Sequence, residues 1–172
     1  MATVGAQQPT PPPPDSAHAE STHAPPPVPS PDQRRFLDGL RTARRGIAQL
    51  KDGLNRVSRA QATDDSTTER TAGRFLAGLC GSARAFLKRG RPHMNPTVYS
   101  DSTRLSARRL VTQVDSLIGY ASTCEASAAA APVPVAADLA KRMKTYDAAL
   151  RDFLVAIGQP VKDDTSKAAR KP

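Results

Sequence analysis

From Phe36 onward the apolar residues recur at alternating intervals of four and three: Phe36, Leu40, Ala43, Ile47, Leu50, Leu54 and Val57. A seam that repeats every seven residues over three heptads is the pattern of helices wrapped against other helices. Ser30-Pro31-Asp32-Gln33 supplies a start, with a capping serine, proline at the first helical position and a glutamine placed to close a capping box. The spacing predicts a helix over 31–62. The same alternation returns in Leu139, Met143, Tyr146, Leu150, Phe153 and Ile157, ahead of the terminators Gly158 and Pro160, and predicts a helix over 135–158.

Two further helices lie between them. Over 67–90, Ala72, Phe75, Leu76, Leu79, Cys80, Ala83, Phe86 and Leu87 form a stripe wide enough to face a core. Ser66-Thr67-Thr68-Glu69 reads as its capping box, and Gly90 with Pro92 as its end. Over 97–125, Leu105, Ala107, Leu110, Val111, Val114, Leu117, Ile118 and Ala121 repeat with helical period. The low-complexity run 126–134, closing in Pro132-Val133-Pro134, reads as a flexible link.

Four helices with short connections predict an all-α, antiparallel four-helix bundle with coiled-coil-like seams over 31–158. Gly39, Gly46 and Gly53 recur every seven residues beside the first seam, with Ala60 in the same phase. They are read either as the close approach of another helix backbone or as tolerated weak points. A row of Gly73, Ala77, Gly81 and Ala85 on the second helix is a candidate to receive them. The two strict seams have two solutions: an internal core, or completion by another protein. The narrowness of a strict heptad stripe favours a subunit whose bundle is finished or extended by partner helices.

Composition limits the remainder of the chain. Residues 1–30 hold nine of the 16 prolines, with Val4 and Val28 as the only bulky apolar side chains after Met1, so they read as a disordered Pro/Ala-rich tail. Residues 159–172 read as a short disordered polar tail. The chain is 4% aromatic with no Trp, a composition that suits close-packed helices better than strands.

The formal net charge is +9 and Arg supplies 18 of the 25 basic residues, a bias that a GC-rich coding sequence gives without selection for binding. Charge runs on helices are ordinarily solvated faces. Arg34, Arg35, Arg41, Arg44 and Arg45 on the first helix and Arg104, Arg108 and Arg109 on the third are the candidate anion contacts. The last three sit at a helix N-terminus, the disfavoured end for positive charge, which points to a carboxylate or phosphate nearby.

Catalytic chemistry is not legible. Of three histidines, His18 and His23 fall in the tail and His93 in a turn, so no metal site, cofactor or Ser-His-Asp set is expected. No glycine loop cradles a phosphate and no small-molecule substrate is indicated. No run of about 18 apolar residues is present for a membrane span. Cys80 and Cys124 are read as two reduced thiols, since the first 30 residues lack the basic start and apolar run of a signal peptide. The expectation is an intracellular, nuclear or cytoplasmic, non-enzymatic adaptor or structural subunit that binds other helical proteins, as in a transcription-regulatory or trafficking complex. The alternative is a basic bundle that binds nucleic acid or an anionic membrane surface.

Overall fold

The computed structural model describes residues 28–160. The two tails expected to be disordered lie outside these residues except for 28–30 and 159–160. The chain folds as an antiparallel four-helix bundle: α1 (Pro31–Gln61), α2 (Ser66–Gly90), α3 (Asp101–Ser127) and α4 (Pro132–Ala156). Each helix packs on its sequence neighbour, and α4 closes back on α1, leaving α1 and α3 across the diagonal.

Helix α1 begins as its sequence dictates. The Gln33 amide donates to Ser30 Oγ at 3.2 Å and the Ser30 amide donates to Gln33 Oε1 at 2.9 Å, completing a capping box. Helix α2 departs from expectation by one residue. Its cap is Asp65, whose carboxylate accepts from the Thr67 and Thr68 amides at 3.0 and 3.1 Å and from the Thr68 hydroxyl. The carboxylate outcompetes the Ser66 hydroxyl because it accepts from two orphan amides at once and its charge faces the positive end of the helix. The hydrogen bond from the Thr68 hydroxyl, then those from the two amides, hold the Asp65 carboxyl below the usual carboxylate range.

The α2–α3 connection is longer than the spacing predicts. Two 3₁₀ turns, Arg91–His93 and Pro96–Val98, intervene, and Tyr99 and Ser100 are extended, so α3 starts at Asp101 rather than at 97. The irregular path lets Met94 and Tyr99 turn inward and plug the end of the bundle, where both are buried. The α3–α4 link is shorter than predicted. Helix α3 continues to Ser127 and α4 already begins at Pro132, leaving 128–131 as the connection. Prolines fit the first turn of a helix because the amides they lack have no partner there in any case. The Pro-Val-Pro run is therefore a helix start and not a flexible link.

Both heptad seams are internal. Phe36, Leu40, Ile47, Leu50 and Val57 of α1 and Leu139, Met143, Tyr146 and Phe153 of α4 are buried in the chain's own core; Leu54, Leu150 and Ile157 are partly buried against it. Phe36, Tyr99 and Phe153 form an aromatic triangle at one end, with ring centroids 5.2 to 5.4 Å apart.

The glycines of α1 mark a close helix approach. A Cβ on Gly39 would stand 2.7 Å from the Gly90 carbonyl oxygen, and one on Gly53 would stand 2.6 Å from Leu76 Cδ1. The row proposed to receive them turns elsewhere. Gly73 faces the Ala128 carbonyl and Pro132, Gly81 faces Glu125, and Ala85 is exposed. What meets the α1 glycines is Leu76, Ala83 and Gly90, the centre of the α2 stripe.

Cys80 and Cys124 are joined in a disulfide that ties α2 to α3, with both residues fully buried. This corrects the expectation of two reduced thiols. Each cysteine sits in the inner stripe of its helix, and packing those stripes together brings the two Cα atoms to 6.0 Å, within bridging range.

Candidate partner-binding face

With both seams consumed by the core, the surface holds few large apolar side chains. Phe75 is 54% exposed, Leu105 52% and Val155 63%. Phe75 belongs to a longer feature. On α2, Phe75, Leu79 and Phe86 fall at spacings of four and seven, along the flank that borders α1. Leu79 and Phe86 are partly buried against the α1 glycines: a Cβ on Gly53 would lie 3.5 Å from Leu79 Cδ1, and one on Gly46 would lie 3.2 Å from Phe86 Cβ. The glycines thus lower the α1 wall, and the α2 side chains lean across it to form a recessed apolar edge.

Guanidinium groups border this edge. The Arg56 guanidinium lies 5.2 Å from the Phe75 ring centroid and that of Arg89 lies 5.7 Å from the Phe86 ring centroid. Thr71, Arg74, Phe75, Gly78 and Leu79 line a shallow concavity of about 420 Å³. A neighbouring one of about 440 Å³ is lined by Arg56, Arg59, Ala60, Thr63, Thr67, Thr68, Thr71, Ala72 and Phe75. Gly78 stands in the middle of the exposed side of α2, and a Cβ there would meet nothing within 4 Å.

The predicted anion contacts do not form one patch. Arg34 donates to the Pro29 carbonyl at 2.8 Å, Arg35 pairs with Asp32 at 3.5 Å, and Arg41 pairs with Asp38 at 2.6 Å. Arg104 donates to the Tyr99 carbonyl at 2.7 Å, so its place at a helix start is explained by a backbone oxygen and not by an acid. Arg44, Arg45, Arg108 and Arg109 have no ion pair among the described residues, but they divide between α1 and α3 across the bundle diagonal.

A cleft of about 400 Å³ at the other end of the bundle is lined by Pro29, Gln33, Leu37, Tyr99, Ser100, Thr103, Ala156, Ile157, Gly158 and Gln159. None of these side chains is charged. Among the described residues no three His, Cys, Asp or Glu side chains gather where they could hold a metal ion. No described helix is long and apolar enough to cross a membrane.

Sequence reasoning placed Phe75 and Phe86 in the core stripe and so missed the edge. The signal was the width of that stripe. Its flank carries Phe75, Leu79 and Phe86 with Arg74 and Arg89 beside them, so one margin of the stripe runs out toward solvent. No protein-family model, no curated protein sequence and no solved structure matches this chain.

Proposed function

We propose that this protein is a non-enzymatic binding module that recognises another protein through its outer surface, as a subunit or adaptor of a larger assembly. The observation that carries the reading is the Phe75–Leu79–Phe86 edge. A bundle that already buries both heptad seams still exposes Phe75, which continues into half-buried Leu79 and Phe86 as one apolar strip along a helix flank. Large exposed apolar groups rimmed by polar ones mark interaction sites on proteins that otherwise bury such groups. The reading differs from completion of a shared coiled coil, since the seam residues Leu50 and Tyr146 have no free surface to offer a partner.

The expected nuclear or cytosolic placement goes with reduced cysteines and with the lack of a signal-peptide pattern in the first 30 residues. The Cys80–Cys124 disulfide favours an oxidising compartment instead. Binding to nucleic acid or an anionic surface is the second reading. Its support is the +9 net charge together with Arg44, Arg45, Arg108 and Arg109, which have no ion pair among the described residues.

Affinity purification of the full chain at high salt, after nuclease treatment, tests the first reading. We expect a protein retained in fixed stoichiometry that re-forms the complex when both components are purified and mixed. Recovery of nothing under these conditions, or of material that nuclease or salt removes, overturns it.

A further inference from the structure

We propose that the α1–α2 edge docks an acidic, amphipathic helix of another protein. One apolar side chain of that helix seats between Phe75, Gly78 and Leu79, and its carboxylates meet Arg59, Arg74 and Arg89. This rests on the partner-binding reading above and names the partner's chemistry.

Charge complementarity carries the first step. Arg59, Arg74 and Arg89 have no ion pair among the described residues. The carboxylate of Asp52 is already committed to Arg56 at 3.0 Å. A partner that buries Phe75 brings these guanidinium groups toward low dielectric, where they need carboxylates to replace water.

Gly78 is the second, independent step. Glycine inside a helix weakens it relative to alanine. An open position alone marks no site, since a side chain on Gly119 of α3 would stand equally free; what singles out Gly78 is its place beside Phe75. It lines the same concavity as Phe75 and Leu79. A missing side chain at that point lets an external backbone come close or an external side chain drop in.

The shape selects a helix. The stripe from Phe75 to Phe86 spans three turns, roughly 16 Å at the helical rise, and is bordered by a second helix. The concavity between Arg56, Arg59 and Ala60 of α1 and Thr71, Ala72 and Phe75 of α2 accepts the side-chain ridge of a third helix, while the seat at Gly78 beside it is formed by α2 alone. An extended segment would gain no backbone pairing here, because the chain around the groove is helical.

Other polyanions fit less well. Single-stranded nucleic acid binds aromatic side chains by stacking bases on ring faces. Here Arg56 and Arg89 lie over those faces. A bilayer is entered by several protruding side chains, whereas of this strip only Phe75 stands out, and Leu79 and Phe86 are half-buried against α1.

The test is selection of helical peptides on the immobilised full chain from a library randomised on one face. The selected peptides are then titrated against wild type, Phe75→Glu and Gly78→Gln. Both positions are exposed, so both variants should melt as wild type does, Gly78→Gln no lower. We expect enriched peptides to carry Asp or Glu beside apolar residues at helical spacing. We expect each substitution to weaken them about tenfold or more. The proposal is overturned by no enrichment on wild type over Phe75→Glu, by enrichment of basic or neutral peptides, or by affinities that neither substitution changes. It is equally overturned if single-stranded RNA or phosphatidylserine vesicles, and no peptide, bind in a manner both substitutions abolish. A stoichiometric partner that survives high salt and is retained equally by both variants would leave partner binding standing and remove this docking site.

Discussion

Gly46 on α1 faces Ala83 on α2 so closely that a Cβ on Gly46 would lie 2.7 Å from the Ala83 carbonyl oxygen. That oxygen belongs to a helix backbone and cannot rotate away, so the two helices would have to separate. Gly46→Ala is therefore expected to destabilise the bundle by about 1–3 kcal/mol, overpacking outweighing the gain in helix propensity. Gly119→Ala runs the other way. Nothing lies within 4 Å of a Cβ at that exposed position, and α3 should gain up to about 1 kcal/mol. Urea unfolding of the two variants should move the midpoints in opposite directions. A stabilised Gly46→Ala would mean that the α1–α2 contact is looser than described.

The disulfide makes a separate prediction. Cys80 and Cys124 are 44 residues apart in sequence and tie the second helix to the third. A cross-link of that span restricts the unfolded chain, and its loss costs about 2–4 kcal/mol. Replacing both cysteines with alanine should lower the melting temperature while leaving the far-ultraviolet dichroism helical, since the buried stripes of both helices remain. Non-reducing peptide mapping of protein from its native compartment should recover the Cys80–Cys124 linked pair. Free thiols on every molecule would return the compartment to the reducing side.

The first and last helices were legible in the sequence because their signals are local. The Ser30-Gln33 capping box and the heptads need only neighbours a few residues apart, and they give the start of α1 and the apolar face of each helix; that both faces meet the chain's own core, and not the partner helices that a narrow stripe favours, is set by the packing of all four helices. What could not be read depends on residues distant in the chain. Met94 and Tyr99 pull the α2–α3 connection inward because a bundle end needs plugging, and no local rule announces that. Cys80 and Cys124 become a pair only after α2 and α3 are set in register. The site failed for a related reason. Phe75 and Leu76 are adjacent in the same apolar stripe, and which of them turns to the core depends on where α1 lies.

Burial separates neighbouring seam residues in a measurable way. Leu50 is fully buried, while Leu54, one turn later, is only packed against the side of the core. Leu50→Ala should cost about 2–5 kcal/mol, combining lost transfer energy with an unfilled cavity. Leu54→Ala should cost less, because water reaches the space it leaves. If a partner helix completed this seam, the two would instead have similar effects on complex recovery and small effects on the melting of the isolated chain. Thermal melts of both variants decide the matter.

Alkaline pH should reveal the buried tyrosines. The hydroxyls of Tyr99 and Tyr146 are buried with no hydrogen-bond partner among the described residues. Burial pushes the Tyr99 phenol from its ordinary 10.0 up to about 12 and raises that of Tyr146 as well. In the unfolded chain both phenols ionise near 10, whereas in the fold both stay neutral. Above that pH the unfolded state binds fewer protons than the native state, so stability falls as pH rises. This contribution is intact below pH 10 and is lost progressively toward pH 12 for Tyr99 and further for Tyr146. Helicity and tyrosinate absorbance should therefore change together in a cooperative step. Tyr146→Phe removes an unpartnered hydroxyl while keeping the ring, so it should not destabilise the protein at neutral pH, and it should move the alkaline midpoint upward. An unmoved midpoint, with tyrosinate forming gradually while helicity persists, would show that the two phenols reach solvent in the folded state.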